Sequence, residues 1–292
     1  MPTTLDCRRQ GLFIIMNIRL IIFVITLLNV VVAQAQLQNA DYGNQPARLS
    51  PVKVLDRSEL EVVYLHNVYD PVLDRSDEKY YMLQIGKNFS KYFNYGTYRL
   101  DSAIATSKNK VILSSQYSEM YAKYRAKAGF AIKDLKSQTV KVCETVLLDW
   151  FLYEEPIPKL EWELEEGEKT VCGQVCHKAT TTFRGRQWVA WYSDVPASDG
   201  PWKFTGLPGL ILEMEDSKSE HLMSAVIIRQ SESEICFTEK SYLNSNRKAV
   251  KKAKDYYIEH STEMLKGMLQ NPDGSEKKLS PRRLFYNPIE LE

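Results

Sequence analysis

The chain has 292 residues, 44% hydrophobic and 26% charged, a make-up that excludes the disordered and fibrous classes. Lysine and arginine total 38 against 37 acidic residues, so the basic footprint of a nucleic-acid binder is missing and no nucleic-acid partner is expected. Seventeen tyrosines, ten phenylalanines and five tryptophans supply bulk for a large core and favour strands.

Residues 1–35 read as targeting sequence. Met16-Asn17-Ile18-Arg19 gives a short basic start, Leu20 to Val32 an apolar run, and Ala33-Gln34-Ala35 a small-x-small cleavage site, so the exported chain is expected to begin at Gln36. Arg8 and Arg9 precede a further apolar cluster, which makes Met16 an alternative start. Asn17 and Arg19 leave the apolar run shorter than the ~20 residues of a membrane span, and the absence of a cysteine at the cleavage point argues against a lipid anchor. The rest, 36–292, reads as one β-rich domain in the periplasm or secreted.

A polar lead-in over 41–51 precedes a strand at 59–69, with Leu60, Val62, Tyr64 and His66 on one face. A polar turn follows over 70–79, then a strand at 80–85. Residues 90–95 are aromatic and fit either a strand or a loop. Within 102–124 the pattern is ambiguous, with a helix expected over 118–127 and stopped by Gly129. Strands at 141–148 and 150–153 end at the breaker Glu155-Pro156-Ile157-Pro158. A meander follows: 162–164, a turn at Glu166-Gly167-Glu168, a strand over 170–182, a turn at Arg184-Gly185-Arg186, and a strand over 187–192.

The next stretch punctuates the chain: Gly200-Pro201-Trp202 and then Gly206-Leu207-Pro208-Gly209-Leu210-Ile211. Leu207-Pro208-Gly209-Leu210 reads as a type II turn with Gly209 at the positive-φ position. The strand after it should set Leu210, Leu212 and Met214 on one face, with Ile211, Glu213 and Glu215 on the other. A hairpin turn at 217–220, strands at 222–229 and 235–238, and an amphipathic helix over 246–270 complete the series. The basic run from Arg247 to Lys254 reads as the solvated face of that helix.

The hexapeptide Gly206-Leu207-Pro208-Gly209-Leu210-Ile211 resembles the signature of the GLPGLI family, a bacterial cell-envelope family. Cys176-His177-Lys178-Ala179, Phe183-Arg184-Gly185-Arg186 and Ala190-Trp191-Tyr192 resemble the run that leads into it. Asn287-Pro288-Ile289-Glu290-Leu291-Glu292 looks like its usual ending, and Met82-Leu83-Gln84-Ile85-Gly86 with Ser90-Lys91-Tyr92-Phe93 like its N-terminal block. The resemblance implies an envelope location and no particular activity.

Cys172 and Cys176 precede His177 at one residue more than the haem-attachment spacing. On a continuous strand they stand about 13 Å apart, too far for a bridge. At least one disulfide is expected among Cys143, Cys172, Cys176 and Cys236, excluding the Cys172–Cys176 pair. The histidines are too scattered for a zinc site, so no metal and no cofactor is expected. No catalytic residue is assigned. Asp194, Asp199, Glu213 and Glu215 are the carboxylates near the central motif that a hydrolase would use. Arg184, Arg186, Trp188, Trp191, Trp202 and Phe204 are instead the types that anchor binding surfaces, with Trp202 the exposed member. The expectation is a mainly β protein, a curved antiparallel sheet or half-open barrel packed on one C-terminal-region amphipathic helix. Its function is to bind a lipid or other apolar ligand or an outer-membrane protein partner, without catalysis; an envelope hydrolase is the alternative.

Overall fold

Period-two alternation of apolar residues dominates the chain, and strands follow it. The computed structural model describes residues 43–107, 111–266, 269, 271, 274–275, 277–280 and 283–292. The targeting sequence and its cleavage point lie outside the described residues, as does most of 267–270, the expected end of the last helix. The chain divides into two compact units, Ser50–Thr106 with Lys123–Glu292, and Met1–Leu49 with Ser107–Ala122.

In the larger unit β1 (Val52–Asp70) is the spine. Along one side it pairs with β2 (Arg75–Gly86); on the other it pairs with β12 (Glu234–Thr238) over its first part and β11 (His221–Gln230) over its second. From β2 the sheet runs through β3 (Phe89–Asn94), β4 (Phe130–Asp134), β5 (Thr139–Val146) and β6 (Asp149–Pro156) to the short β13 (Leu243–Asn244). From β11 it runs through β10 (Ile211–Asp216), β9 (Arg186–Ser193) and β8 (Gln174–Phe183) to β7 (Glu163–Val171). The neighbours are antiparallel except β13 on β6. With β7 and β13 as unpaired edges the sheet is open and does not close into a barrel. Bulges in β1 after Val54 and after Val63 bend it, as an extra residue in one strand does.

Hairpin chemistry fixes the register of the last strands. Arg184 and Gly185 take φ of 48° and 78°, and Cys172 and Gly173 take 48° and 77°, the paired left-handed residues of a two-residue hairpin whose twist matches the strands. The Arg184-Gly185 turn is where the sequence put it. The expected turn at 166–168 is not a turn: β7 passes through with a bulge between Glu165 and Glu168, and the chain reverses at Cys172. The expected strand over 170–182 is therefore cut in two, which removes the extended-strand separation assumed for Cys172 and Cys176. The 70–79 turn shrinks to four residues, because the Asp70 carboxylate accepts the Val72 and Leu73 amides at 2.9 and 3.2 Å and closes the chain locally.

α1 (Tyr95–Ala105) follows β3, capped by Asn94, whose side-chain oxygen accepts the Thr97 amide at 3.1 Å. α2 (Ser114–Tyr124) replaces the helix expected at 118–127. Within the smaller unit the Ala47 amide donates to the Ile112 carbonyl at 2.7 Å and the Ser114 amide to the Gln45 carbonyl at 2.9 Å. β4 has no counterpart in the sequence pattern, since five residues containing Lys133 carry little alternation. α3 (Arg247–Leu265) is the expected amphipathic helix, capped by Asn246 and kinked at His260. Its Val250 is fully buried among Ala131, Val140, Val142 and Tyr153 of β4, β5 and β6, which docks the helix on that side of the sheet.

The central motif is the crossover from β9 into β10. Leu207, Leu210, Ile211 and Leu212 are all buried. Gly209 is not in the left-handed region; within this crossover that conformation falls to Trp202 at 55° and Gly206 at 97°. What requires glycine at 209 is proximity: a Cβ there would lie 1.7 Å from the Ser193 carbonyl oxygen. The expected face assignment of β10 holds for Leu210, Leu212 and Ile211 and fails at Met214. Its pairing with β9 shifts between Ile211 and Glu213, so Ile211 packs with Met214 around Trp188 and Phe204, while Leu210 and Leu212 pack with Val62, Tyr64 and Leu83. The Tyr64 hydroxyl donates to the Ile211 carbonyl at 2.6 Å and ties the crossover to the spine.

Candidate binding cavity

Within the larger unit a cavity of about 620 Å³ lies between the sheet and α3, inside the range of small-molecule sites. β1, β2, β3 and β11 give its floor through His66, Tyr81, Tyr92 and His221. These rings form a continuous row. Tyr92 and Tyr81 stack with centroids 5.0 Å apart and planes at 9°, Tyr81 lies 5.8 Å from His66, and His66 lies 5.4 Å from His221. His66 Nε2 and His221 Nδ1 are 3.1 Å apart, so one ring donates to the other. Burial, the neighbouring imidazole and Lys79 push the His66 pKa down to about 3. Burial and the Arg186 guanidinium push His221 down to about 4. The pair is neutral at physiological pH. Burial raises Tyr81 to about 12 and Tyr92 well above its ordinary value.

The walls come from α3, through Arg247, Lys251, Lys254 and Tyr257, and from the segment 284–292. That segment is strapped down by buried polar groups. The Tyr286 amide donates to the Asp70 carboxylate at 3.0 Å, and the Asn287 amide group donates to the Tyr69 carbonyl at 2.8 Å and to Glu220 at 3.0 Å. Arg186 donates to the Pro288 carbonyl at 3.0 Å. Glu290 reaches Lys203, whose side chain is wholly buried, at 2.7 Å, and accepts the Trp202 indole N–H at 2.8 Å. Lys203 also pairs with Glu155 at 2.6 Å. Two carboxylates surround one buried ammonium, with Arg184 and Arg247 beside them, so the buried cation is paired on two sides.

The sequence-selected binding residues are mostly elsewhere. Trp188 is 1% and Phe204 0% exposed, packed edge to face at 4.9 Å; both are core. Arg186 is buried and committed to Asp216 and Glu220, each at 2.7 Å, so it is structural. Arg184 joins the Glu155 and Glu290 network. Trp191 is half-buried under Lys169, whose ammonium lies 5.6 Å from the ring. Trp202 lines the cavity, but half-buried and hydrogen-bonded rather than exposed. The basic run of α3 is not simply solvated either, since Lys254 pairs with Glu144 across the cavity wall. The cavity residues His66, Tyr81, Tyr92, Lys79 and His221 went unselected because each sits at an ordinary strand position; no spacing between them exists in sequence.

The four described cysteines stand as free thiols in this structure. Cys143 is buried on β5, Cys176 on β8 and Cys236 lies on β12, with Cys172 exposed at a hairpin tip. Burial pushes the Cys143 thiol up to about 12. Among the described residues no group of three His, Cys, Asp or Glu side chains is placed to hold a metal ion. Of the carboxylates near the motif, Asp199 is buried against Lys133, Glu213 is paired with Lys169 and accepts the Ser224 hydroxyl at 2.9 Å, and Asp194 is 3.6 Å from His177 with its side chain exposed.

No curated protein matches the sequence. Two crystal structures of PNGF-II are similar in fold: one, in space group P21, with a TM-score of 0.46 and 11% identity over 70% of this chain and 34% of that one. The other, in space group C2, has a TM-score of 0.46 and 12% identity over 69% and 33%. The chain thus spans about a third of their length. Residues 184–213, which hold the β8–β9 turn, β9 and the whole central crossover, match the model of a family described as a protein of unknown function, Porph_ging.

Proposed function

We propose that this chain is an exported, non-enzymatic envelope protein of the GLPGLI type that holds a hydrophobic ligand in the cavity between the sheet and α3. The observation that carries the reading is the cavity itself: about 620 Å³, floored by stacked tyrosines and walled by Trp202, Tyr257, Ile258, Leu284 and Ile289. Aromatic and aliphatic walls with a few fixed polar groups are the usual make-up of a small-molecule site. The carboxylates that a hydrolase would need are engaged with lysines, Asp199 with Lys133 and Glu213 with Lys169, which favours binding over the hydrolytic alternative. An outer-membrane protein as partner has no comparable feature behind it.

The reading is tested by native mass spectrometry of the protein drawn from its own envelope. A polypeptide mass starting at Gln36 carrying an added lipid-sized mass is the expected result. A chain that retains residues 1–35, or one that arrives with a protein partner and an empty cavity, would count against export or against ligand capture respectively.

A further inference from the structure

The cavity is electrically lopsided. At the α3 end each cation has a carboxylate: Arg247 reaches Glu155 and Glu290 at 3.5 and 3.8 Å, Lys251 reaches Asp255 at 2.7 Å, and Lys254 pairs with Glu144. Lys79 and Lys127 line the cavity as well. Lys79 pairs with Asp77 at 2.5 Å. Lys127 has no carboxylate within ion-pair distance among the described residues, and its side chain contacts the field of the same Asp77. Lys127 is solvent-exposed over part of its length; the burial of the remainder first, and Lys79 next, hold its pKa below the ordinary value, with Asp77 opposing them. Arg75 and Lys79 also flank the Phe285 ring at 5.9 and 5.8 Å. Of the two cavity lysines, Lys79 holds Asp77 as an ion-pair partner and Lys127 feels the same carboxylate from farther away.

The floor beside this cluster contains unused hydrogen-bonding capacity. Lys79 is the cross-strand neighbour of His66. The Tyr92 hydroxyl and His221 Nε2 are buried without a well-formed hydrogen bond, the Asn287 side chain standing beside the His221 ring, and Tyr92 and His221 both line the cavity. Because His66 and His221 share one hydrogen bond through Nε2 and Nδ1, the tautomer in which His66 donates leaves His221 Nε2–H free to donate as well. The Tyr92 O–H is a second free donor. Orphaned buried donors are costly, and an acceptor oxygen brought by a ligand would satisfy them.

We propose that the ligand is an amphipathic anion: an alkyl chain lying against Tyr257, Ile258, Leu284 and Ile289, ending in an oxyanion head held by Lys79 and Lys127 above the His66–His221 pair. This rests on the binding reading given above and adds the chemistry of the head. A carboxylate and a phosphate share that chemistry, and both are acceptors matched to ammonium and O–H donors. A neutral alcohol of the same chain length fills the same walls but leaves the lysine cluster uncompensated.

The experiment is calorimetric titration of the exported chain with dodecanoate, dodecyl phosphate, dodecanol and dodecyltrimethylammonium. Both anions should bind roughly tenfold tighter than dodecanol, the cation weakest of all, and the preference between the two anions separates a fatty-acid source from a phosphate-headed one. The double variant Lys79→Gln, Lys127→Gln should lose that advantage while leaving dodecanol affinity within about twofold. Lys87→Gln, an exposed lysine outside the cavity, should change nothing. A readout without any variant comes from salt: at ionic strength near 1 M, where screening acts over about 3 Å, the anion advantage should shrink and dodecanol binding should not weaken. Equal affinity for anions and alcohol, or an equal loss of both in the double variant, overturns the oxyanion head and leaves hydrophobic binding standing. Failure of all four probes to bind overturns the binding reading itself.

Discussion

Gly206 and Gly209 stand three residues apart in one motif and are glycine for different reasons, which substitution separates. Gly206 has φ of 97° and an added Cβ would meet only the Trp162 indole at 3.5 Å, an ordinary contact, so Gly206→Ala should cost about 1 kcal/mol of backbone strain. Gly209 has an unstrained backbone, but its Cβ would overlap the Ser193 carbonyl at 1.7 Å. That oxygen belongs to the end of β9 and cannot swing aside, and relief means parting β9 from the crossover. Gly209→Ala should therefore be the more damaging of the two, at about 3 kcal/mol or more, the upper end for overpacking. Thermal melts of the two variants beside the parent check the order; a larger loss for Gly206→Ala would mean that the close approach is not what demands glycine at 209.

At the scale of elements, the segment 284–292 is held as a strap by side chains from β1, β9, the β10–β11 turn and the central crossover. Its strongest tie is Glu290, which shares the buried Lys203 with Glu155 and accepts from Trp202. Leaving a buried charge with no partner costs about 3–5 kcal/mol. Because Glu155 stays, Glu290→Gln should cost less, about 2 kcal/mol. The loss should be local: hydrogen exchange of the Leu291 amide, which donates to the Arg184 carbonyl at 2.9 Å, should quicken well before that of β1. If Leu291 exchange is unaltered in Glu290→Gln, the strap is held by Arg186 and Asn287 alone. The same variant should loosen the cavity wall and weaken dodecanoate binding, since Ile289 and Glu290 both line it.

For the larger unit as a whole, the histidine pair sets a pH dependence whose sign follows from its buried, neutral state. The unfolded chain takes up protons near pH 6.5, whereas the folded pair resists them until about pH 4 and about pH 3. Between those limits the unfolded state binds more protons, so stability is full above pH 6.5 and falls as the medium is acidified toward pH 4. Each histidine should contribute a loss on the order of 2 kcal/mol by pH 5. His221 faces Arg186, Asp216 and Glu220, and His66 faces Lys79; the lysine and arginine reinforce the effect and the two carboxylates moderate it. Carboxylates with depressed pKa, such as Glu61 against Ser233 and Arg229 and Glu220 against Asn287 and Arg186, add their own loss only at lower pH. Urea unfolding at pH 7 and pH 5 measures the slope, and His66→Gln should flatten it even where it lowers stability overall. An unchanged slope in that variant would mean that the pair is not what titrates.

Local periodicity determined most of the strands, the hairpin at Arg184-Gly185 and the amphipathic α3, because alternation and turn chemistry act within a few residues. It also marked the central crossover as a place of tight backbone geometry. Tertiary structure alone decided the rest. The register shift between Ile211 and Glu213 moved Met214 to the face of Ile211, since a bulge is a property of the pairing with β9 and not of β10 itself. Trp188, Phe204 and Arg186 have the composition of a binding surface, yet the sheet turns them inward, where Asp216, Glu220 and the strap satisfy the guanidinium. The cavity draws in Lys79 and Lys127 and brings His66 to His221 across 155 residues of chain. Residues that distant meet only when the spine strand brings β2 and β11 to its two sides, and no local pattern records such a meeting.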